Sequence, residues 1–235
     1  MSALKIEYLY PEFCGIFGDQ ANIAYLKKCL PDATFYDTPI EEVPHFVNED
    51  VDMIYIGQMT ERSQKRVLAK LMPFKDRLKE LIEKEVIILA TGNASELFGE
   101  YIIEEDGNKI ECLNIFNTYA KQDIWNRYNG LIIGKFEDME IVGFKSQFSH
   151  SYGDHGKDAF MEVTMGDGMN LKTKNEGIHY KNFISTYVIG PLLVMNPKFV
   201  EYLLKLLKSE NEIAFKDAMY KAYEERLADM KRLQK

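Results

Sequence analysis

Residues 86–89 are four consecutive apolar residues that lead through Ala90-Thr91 into Gly92-Asn93, then into a short helical stretch that stops at Gly99. A short strand with no polar alternation is buried on both faces, which is the habit of parallel sheets covered by helices. The neighbouring segments agree. Residues 4–10 alternate and meet Pro11, residues 33–36 read as a strand, and residues 51–56 are β-branched and closed by Gly57. Between them Ile23, Leu26, Cys29 and Leu30 share one face of a helix over 21–30, with Asp19 as its expected N-cap. Residues 61–84 read as a long helix that Pro73 kinks or divides. The order predicts an α/β fold of three layers, a mostly parallel central sheet with helices on both sides.

The middle of the chain changes character. Residues 101–113 predict a hairpin about Asp106-Gly107, and 131–136, 141–144 and 160–163 predict short β segments. Residues 183–188 read as another strand, 198–208 as an amphipathic helix, and a last helix is expected from about Ile213. Its stripe of Phe215, Met219, Tyr223, Leu227 and Met230 is expected to pack on its own domain. No repeat and no linker rich in Pro, Gly or Ser divides the 235 residues, so one domain over 1–235 is expected.

Composition narrows the function classes. Lys plus Arg is 29 against 37 for Asp plus Glu, a net charge of −8, which argues against a nucleic-acid partner. No apolar run is long enough to insert in a bilayer, and no signal peptide opens the chain, so a cytoplasmic location is expected. Three scattered cysteines, Cys14, Cys29 and Cys112, form neither a disulfide framework nor a metal cluster, and no metal or cofactor is expected. Buried, unreactive thiols are the expectation for all three.

In an open α/β sheet, ligands bind beyond the carboxyl ends of the strands. Three such ends stand out: Gly57-Gln58-Met59, Thr91-Gly92-Asn93-Ala94 and Val188-Ile189-Gly190-Pro191. A strand that turns on glycine into a helix has the geometry of a nucleophile elbow, which lifts one side chain above the sheet and aims the following N–H groups at a developing oxyanion.

Four stretches carry a family likeness. They are Pro11-Glu12-Phe13-Cys14-Gly15-Ile16-Phe17-Gly18-Asp19-Gln20-Ala21-Asn22-Ile23, Asp52-Met53-Ile54-Tyr55-Ile56-Gly57, the pair Asn126-Arg127, and Glu176-Gly177-Ile178-His179-Tyr180-Lys181-Asn182 with Thr186-Tyr187-Val188-Ile189-Gly190-Pro191. Together they resemble the class I glutamine amidotransferases, in the branch of CobB/CobQ-type domains and GatD-type subunits. The resemblance implies a flavodoxin-like fold and, for the GatD type, a MurT-like Mur ligase partner in cell-wall precursor amidation.

The departures from that pattern bear on activity. Where the family elbow has cysteine in Ala-Ile-Cys-Gly-Gly-Tyr-Gln, this chain has Gly92 in Ala90-Thr91-Gly92-Asn93-Ala94-Ser95-Glu96. Where the family has Tyr-Leu-His-Gly-Pro, the histidine position is Ile189. Glycine forms no thioester and isoleucine moves no proton, so no catalytic residue of the family kind is expected. Gly57, Gln58, Met59 and Asn93 stand for a degenerate oxyanion loop, and Phe144-Lys145-Ser146-Gln147 replaces the family's Phe-Glu-Asn-His. The expectation is a binding or scaffold subunit without glutaminase activity. The alternatives are a hydrolase with re-invented chemistry drawn from Cys14, Ser95 or a His150/His155 loop, and a module that binds an amino acid through Arg127, whose guanidinium fits a carboxylate. Asp19 and Asn22 are read as helix-capping and turn-tying residues. His45 is read as exposed, and His179 as a structural hydrogen-bonding residue.

Overall fold

The computed structural model describes residues 3–153 and 158–234. The first half runs β1 (Lys5–Leu9), α1 (Gln20–Cys29), β2 (Thr34–Thr38), α2 (His45–Asn48), β3 (Met53–Ile56), α3 (Glu61–Leu71), α4 (Lys75–Glu83) and β4 (Ile87–Thr91). A 3-10 segment follows over Gly92–Phe98. The second half contains β5 (Tyr101–Ile103), β6 (Lys109–Glu111), β7 (Thr118–Gln122), β8 (Tyr128–Phe136), β9 (Met139–Gln147), β10 (Ser149–Gly153), β11 (Met161–Met165), β12 (Asn175–Glu176), β13 (Ile178–Tyr180) and β14 (Phe183–Thr186). The chain closes with α5 (Leu192–Met195), α6 (Pro197–Leu206) and α7 (Lys216–Leu233).

The central sheet has six strands in the order β13-β14-β4-β3-β1-β2. Every pairing in it is parallel except that of β13 with β14. Each residue of β3, β4 and β14 is buried, so the sheet is covered on both faces. This is the expected three-layer α/β fold of flavodoxin type. Two four-stranded sheets flank it, β10-β7-β5-β6 and β12-β11-β8-β9, and their apolar residues Ile102, Ala120, Ile132 and Val163 join the same core as Ile54 and Leu89.

Local chemistry explains the breaks. Thr60 caps α3 by accepting from the Ser63 N–H at 3.2 Å, and Pro73 lies in a 3-10 turn (Met72–Phe74) that divides the expected long helix into α3 and α4. The final helix begins at Lys216 instead of 213, because Phe215 takes a left-handed φ of +57°. Tyr223 and Met230 of α7 pack with Ile133 of β8 and Val142 of β9, and the Tyr223 hydroxyl donates to the Glu140 carbonyl at 2.7 Å. The apolar stripe is thus spent within the chain, with exposed Phe215 outside it.

Some expectations are corrected. The expected His150/His155 loop is not a loop at His150: Ser149–Gly153 is strand β10, in which His150 is buried. The partner proposed for it, His155, lies outside the described residues. His45 is not simply exposed: its ring stacks on Tyr36 with centroids 3.8 Å apart, and Nδ1 is 2.8 Å from Glu49 Oε1. Asp19 occupies the N-cap position of α1 but makes no side-chain cap bond there, because its carboxylate points into the interior.

Candidate functional site

The ends of β3, β4 and β14 meet at the carboxyl edge of the central sheet, where the sequence placed the cleft. The chain leaves β4 at Gly92 with φ of +63°, a left-handed turn that glycine adopts without strain. At the end of β3, Gly57 crosses the Cys14 carbonyl so closely that a Cβ would overlap it. The two turns are tied together by one side chain. Asn93 Oδ1 accepts from the Met59 N–H at 3.0 Å, and Asn93 Nδ2 donates to the Met59 carbonyl at 2.9 Å.

Gln58 fills the space above the elbow. A Cβ at Gly92 would come within 2.5 Å of Gln58 Cβ and 2.7 Å of its Cδ, and closer still to Oε1. The Gln58 side chain is held there by donation from Nε2 to the Ser146 carbonyl at 3.2 Å. Gly92, Gln58, Met59 and Asn93 are all buried, as is Ile189 at 0% exposure. Ile189 bridges Phe144 through two backbone hydrogen bonds of 2.9 and 3.1 Å, so it is part of the packing between β9 and the turn after β14.

Two N–H groups of the loop after β3 are also committed. The Met59 N–H is occupied by Asn93, and the Gln58 N–H donates to Asp19 Oδ2 at 2.9 Å. Asp19 is fully buried and further accepts from Thr91 Oγ1 at 2.6 Å and Asn22 Nδ2 at 3.3 Å. Burial pushes its carboxyl up to about 6, while the bonds from Thr91 and Gln58 oppose the rise. Asn22 reaches further than a turn: Nδ2 donates to the Tyr55 hydroxyl at 2.8 Å, and Oδ1 accepts from the Leu193 N–H at 2.8 Å. Asp19 and Asn22 therefore knit the ends of β3 and β4 to the start of α1 and to α5.

The remaining candidates are dispersed. Cys14 is buried and its thiol is pushed far up, mainly by desolvation, which leaves it protonated and poorly nucleophilic. Cys29 and Cys112 are likewise buried with raised thiols. Ser95 Oγ donates to the Gly92 carbonyl at 2.8 Å. His150 Nε2 lies 3.3 Å from the Asn126 carbonyl, and His179 Nε2 lies 3.4 Å from the Tyr202 hydroxyl. Arg127 is exposed, with its guanidinium carbon 5.7 Å from the Phe148 ring centroid. The described residues contain no cluster of three or more His, Cys, Asp or Glu suited to a metal.

Two buried polar groups escaped the sequence reading. Glu96, at the glutamine position of the family elbow, accepts from Gln64 Nε2 and from the Tyr187 hydroxyl, both at 2.8 Å, and from the Ser149 hydroxyl. Burial raises its pKa. Lys145 is fully buried 2.7 Å from Glu176, donates to the Gly168 carbonyl at 2.8 Å, and has its pKa lowered by desolvation. The signal was available as charged residues inside otherwise apolar or strand-like stretches.

The family model of the CobB/CobQ-like glutamine amidotransferase domain matches residues 5–197. The chain belongs to that family. It is similar to the lipid II isoglutaminyl synthase (glutamine-hydrolyzing) subunit GatD of Staphylococcus aureus, at 30% identity over 92% of this chain and 88% of the relative. The corresponding GatD subunit of Streptococcus pneumoniae is 27% identical over 82% of this chain and 76% of its own. Among solved structures, a glutamine amidotransferase superposes with a TM-score of 0.56 at 10% identity, covering 86% of this chain and 98% of that one. That likeness concerns the fold.

Proposed function

We propose that this chain is a GatD-type subunit that has lost glutamine hydrolysis and serves as a binding or scaffold subunit for a MurT-like, ATP-dependent Mur ligase in cell-wall precursor amidation. The relatives named as subunits of lipid II isoglutaminyl synthase support the partner class and the reaction context. The observation that carries the loss of hydrolysis is the Gln58 side chain lying where a Cβ on residue 92 would be. Amide hydrolysis by this fold needs a thiolate, a base and two free N–H donors. Here the thiolate position is a buried glycine, the base position is a core isoleucine, and the Met59 donor is satisfied internally.

Neither Cys14 nor Ser95 restores that set. Cys14 is protonated and enclosed, and Ser95 spends its hydroxyl on a backbone carbonyl. A subunit of this kind would leave the ligase to take its nitrogen as ammonia. The test is co-expression with a Mur-ligase-type ATPase and an assay of amide formation on the activated acceptor. The expected result is a stable complex that uses ammonium salts and does not use glutamine. Failure of the two chains to associate refutes the scaffold role, and glutamine-dependent amidation refutes the loss of hydrolysis.

A further inference from the structure

A cavity of about 300 Å3 opens on the flank of the molecule, between α4, the edge strand β13 and the segment that leads into β7. α4 ends at Glu83 and the chain enters β4 at Ile87, so the cavity lies toward the amino end of β4, whereas Gly92 stands at its carboxyl end. Its floor is apolar, made by Ile82, Ile115, Phe116 and Ile178. That floor is held in place from behind. The Phe116 ring packs on Phe183 with centroids 4.6 Å apart and meets Tyr180 edge-on at 6.1 Å, and the Ile115 and Phe116 N–H groups both donate to the Phe98 carbonyl at 3.0 Å. The rim is charged. Glu83 is already engaged, accepting from Lys181 Nζ at 2.7 Å and from the Tyr180 hydroxyl at 3.3 Å. Lys79 and Asp158 line the same cavity, are exposed, and have no ion-pair partner among the described residues. The Asp158 carbonyl accepts from the His179 N–H at 2.7 Å, which fixes that residue's backbone against β13.

We propose that this cavity binds a free apolar α-amino acid, with its side chain on the Phe116 floor, its carboxylate at Lys79 and its ammonium at Asp158. The ligand class follows from the lining. A volume of about 300 Å3 suits a small metabolite. The aliphatic and aromatic floor favours an apolar side chain, whose burial removes apolar surface from water. One uncompensated cation and one uncompensated anion on a single rim favour a ligand that carries both signs. A ligand with only one charge satisfies one of them and meets the other as a like charge. Glu83 does not compete with Asp158 for the ammonium, because Lys181 neutralises it. The inference goes beyond the function proposed above: it uses neither the cleft nor a partner subunit, and it holds whether or not the chain hydrolyses glutamine.

The experiment is a nuclear magnetic resonance titration of the full chain, labelled with nitrogen-15, at pH 7 and low salt. The probes are L-phenylalanine, 3-phenylpropanoate, which lacks the ammonium, and 2-phenylethylamine, which lacks the carboxylate. L-Phenylalanine is expected to bind saturably with a dissociation constant of about 0.1–2 mM. It should shift the backbone amides of Ile115, Phe116 and Ile178–Tyr180 and leave those of Gly57 and Gly92 in place. Each single-charge probe is expected to bind at least about threefold more weakly. Lys79→Met should weaken phenylalanine by about two- to fivefold without weakening 2-phenylethylamine, and Asp158→Asn should do the same without weakening 3-phenylpropanoate. Four results overturn the proposal: no saturable shift below about 20 mM, shifts confined to the Gly57 and Gly92 turns, equal affinity for the three probes, or phenylalanine binding unchanged in both variants. Should a variant fail to fold, the comparison of the three probes on the wild-type chain decides alone.

Discussion

Gly92→Ala adds one methyl group at the turn after β4, and its cost can be worked from the structure. The backbone there has φ of +63°, where an L-residue is disfavoured by roughly 1–2 kcal/mol. The new Cβ also falls within 2.5 Å of Gln58 Cβ and 2.7 Å of Cδ, so the buried Gln58 side chain has to be pushed from its place. Overpacking of that kind costs about 1–3 kcal/mol. The two effects sum to about 2–5 kcal/mol of lost stability, measured by urea unfolding at fixed pH with the slope m unchanged. They separate in a double-mutant cycle. In a Gln58→Gly background the atoms that the methyl would strike are gone, the backbone strain remains, and the cost of Gly92→Ala should fall to about 1–2 kcal/mol, a coupling of about 1–3 kcal/mol. A cost below about 1 kcal/mol in the wild-type background, or the same cost in both backgrounds, refutes the claim that Gln58 fills the elbow.

Asp19 should make stability fall with rising pH. Its folded-state pKa of about 6 stands above the ordinary 3.8, so the folded chain binds the proton more tightly; the contribution is complete below about pH 4 and is lost as pH rises through about 6. The shift corresponds to roughly 3 kcal/mol, and the difference in unfolding free energy between wild type and Asp19→Asn, followed from pH 4 to 7 by urea titration, should change by about that amount; a flat difference contradicts the raised pKa of the buried carboxyl. Lys145→Met strands the Glu176 carboxylate in the interior and should cost about 3–5 kcal/mol, whereas a loss below about 1 kcal/mol would mean that the pair is solvated in solution. Gly92→Cys with Ile189→His restores both missing groups yet should give little glutaminase activity, because Gln58 still crowds the elbow and Asn93 still holds the Met59 N–H; robust ammonia release by that variant would mean that the rest of the site is intact.

The central sheet was legible because its strands are short, apolar and closed by turn residues. Three residues of the non-alternating run at 86–89 open β4 (Ile87–Thr91), which is buried at every position, and Gly57 and Gly92 follow the ends of β3 and β4. The flanking sheets were harder to read. Thr118–Gln122 and Ser149–Gly153 are polar and short, and each becomes a strand only because tertiary pairing supplies its partner; Tyr119 faces Tyr152 in that pairing with ring centroids 5.4 Å apart. At the site, the sequence likeness puts Gly92 and Ile189 at the family's cysteine and histidine positions as an expectation, and the structure shows both residues buried. What lies over Gly92 was not legible, since nothing in the order of residues says that Gln58 turns toward Gly92 and not outward. Asp19 was misread for a related reason. An aspartate before a helix has the composition of a cap, but here the ends of β3 and β4 bring the Gln58 N–H and the Thr91 hydroxyl to its carboxylate, and those partners outcompete the helix.

The most direct test of the account is release of ammonia from glutamine labelled with nitrogen-15 in its side-chain amide, measured for the purified chain alone and for its complex with a Mur-ligase-type ATPase. With Gly92 at the nucleophile position, Ile189 at the base position and Gln58 over the elbow, the account predicts labelled ammonia at the level of the protein-free blank in both samples. Steady labelled turnover that co-purifies with the chain through successive columns, in either sample, would contradict it.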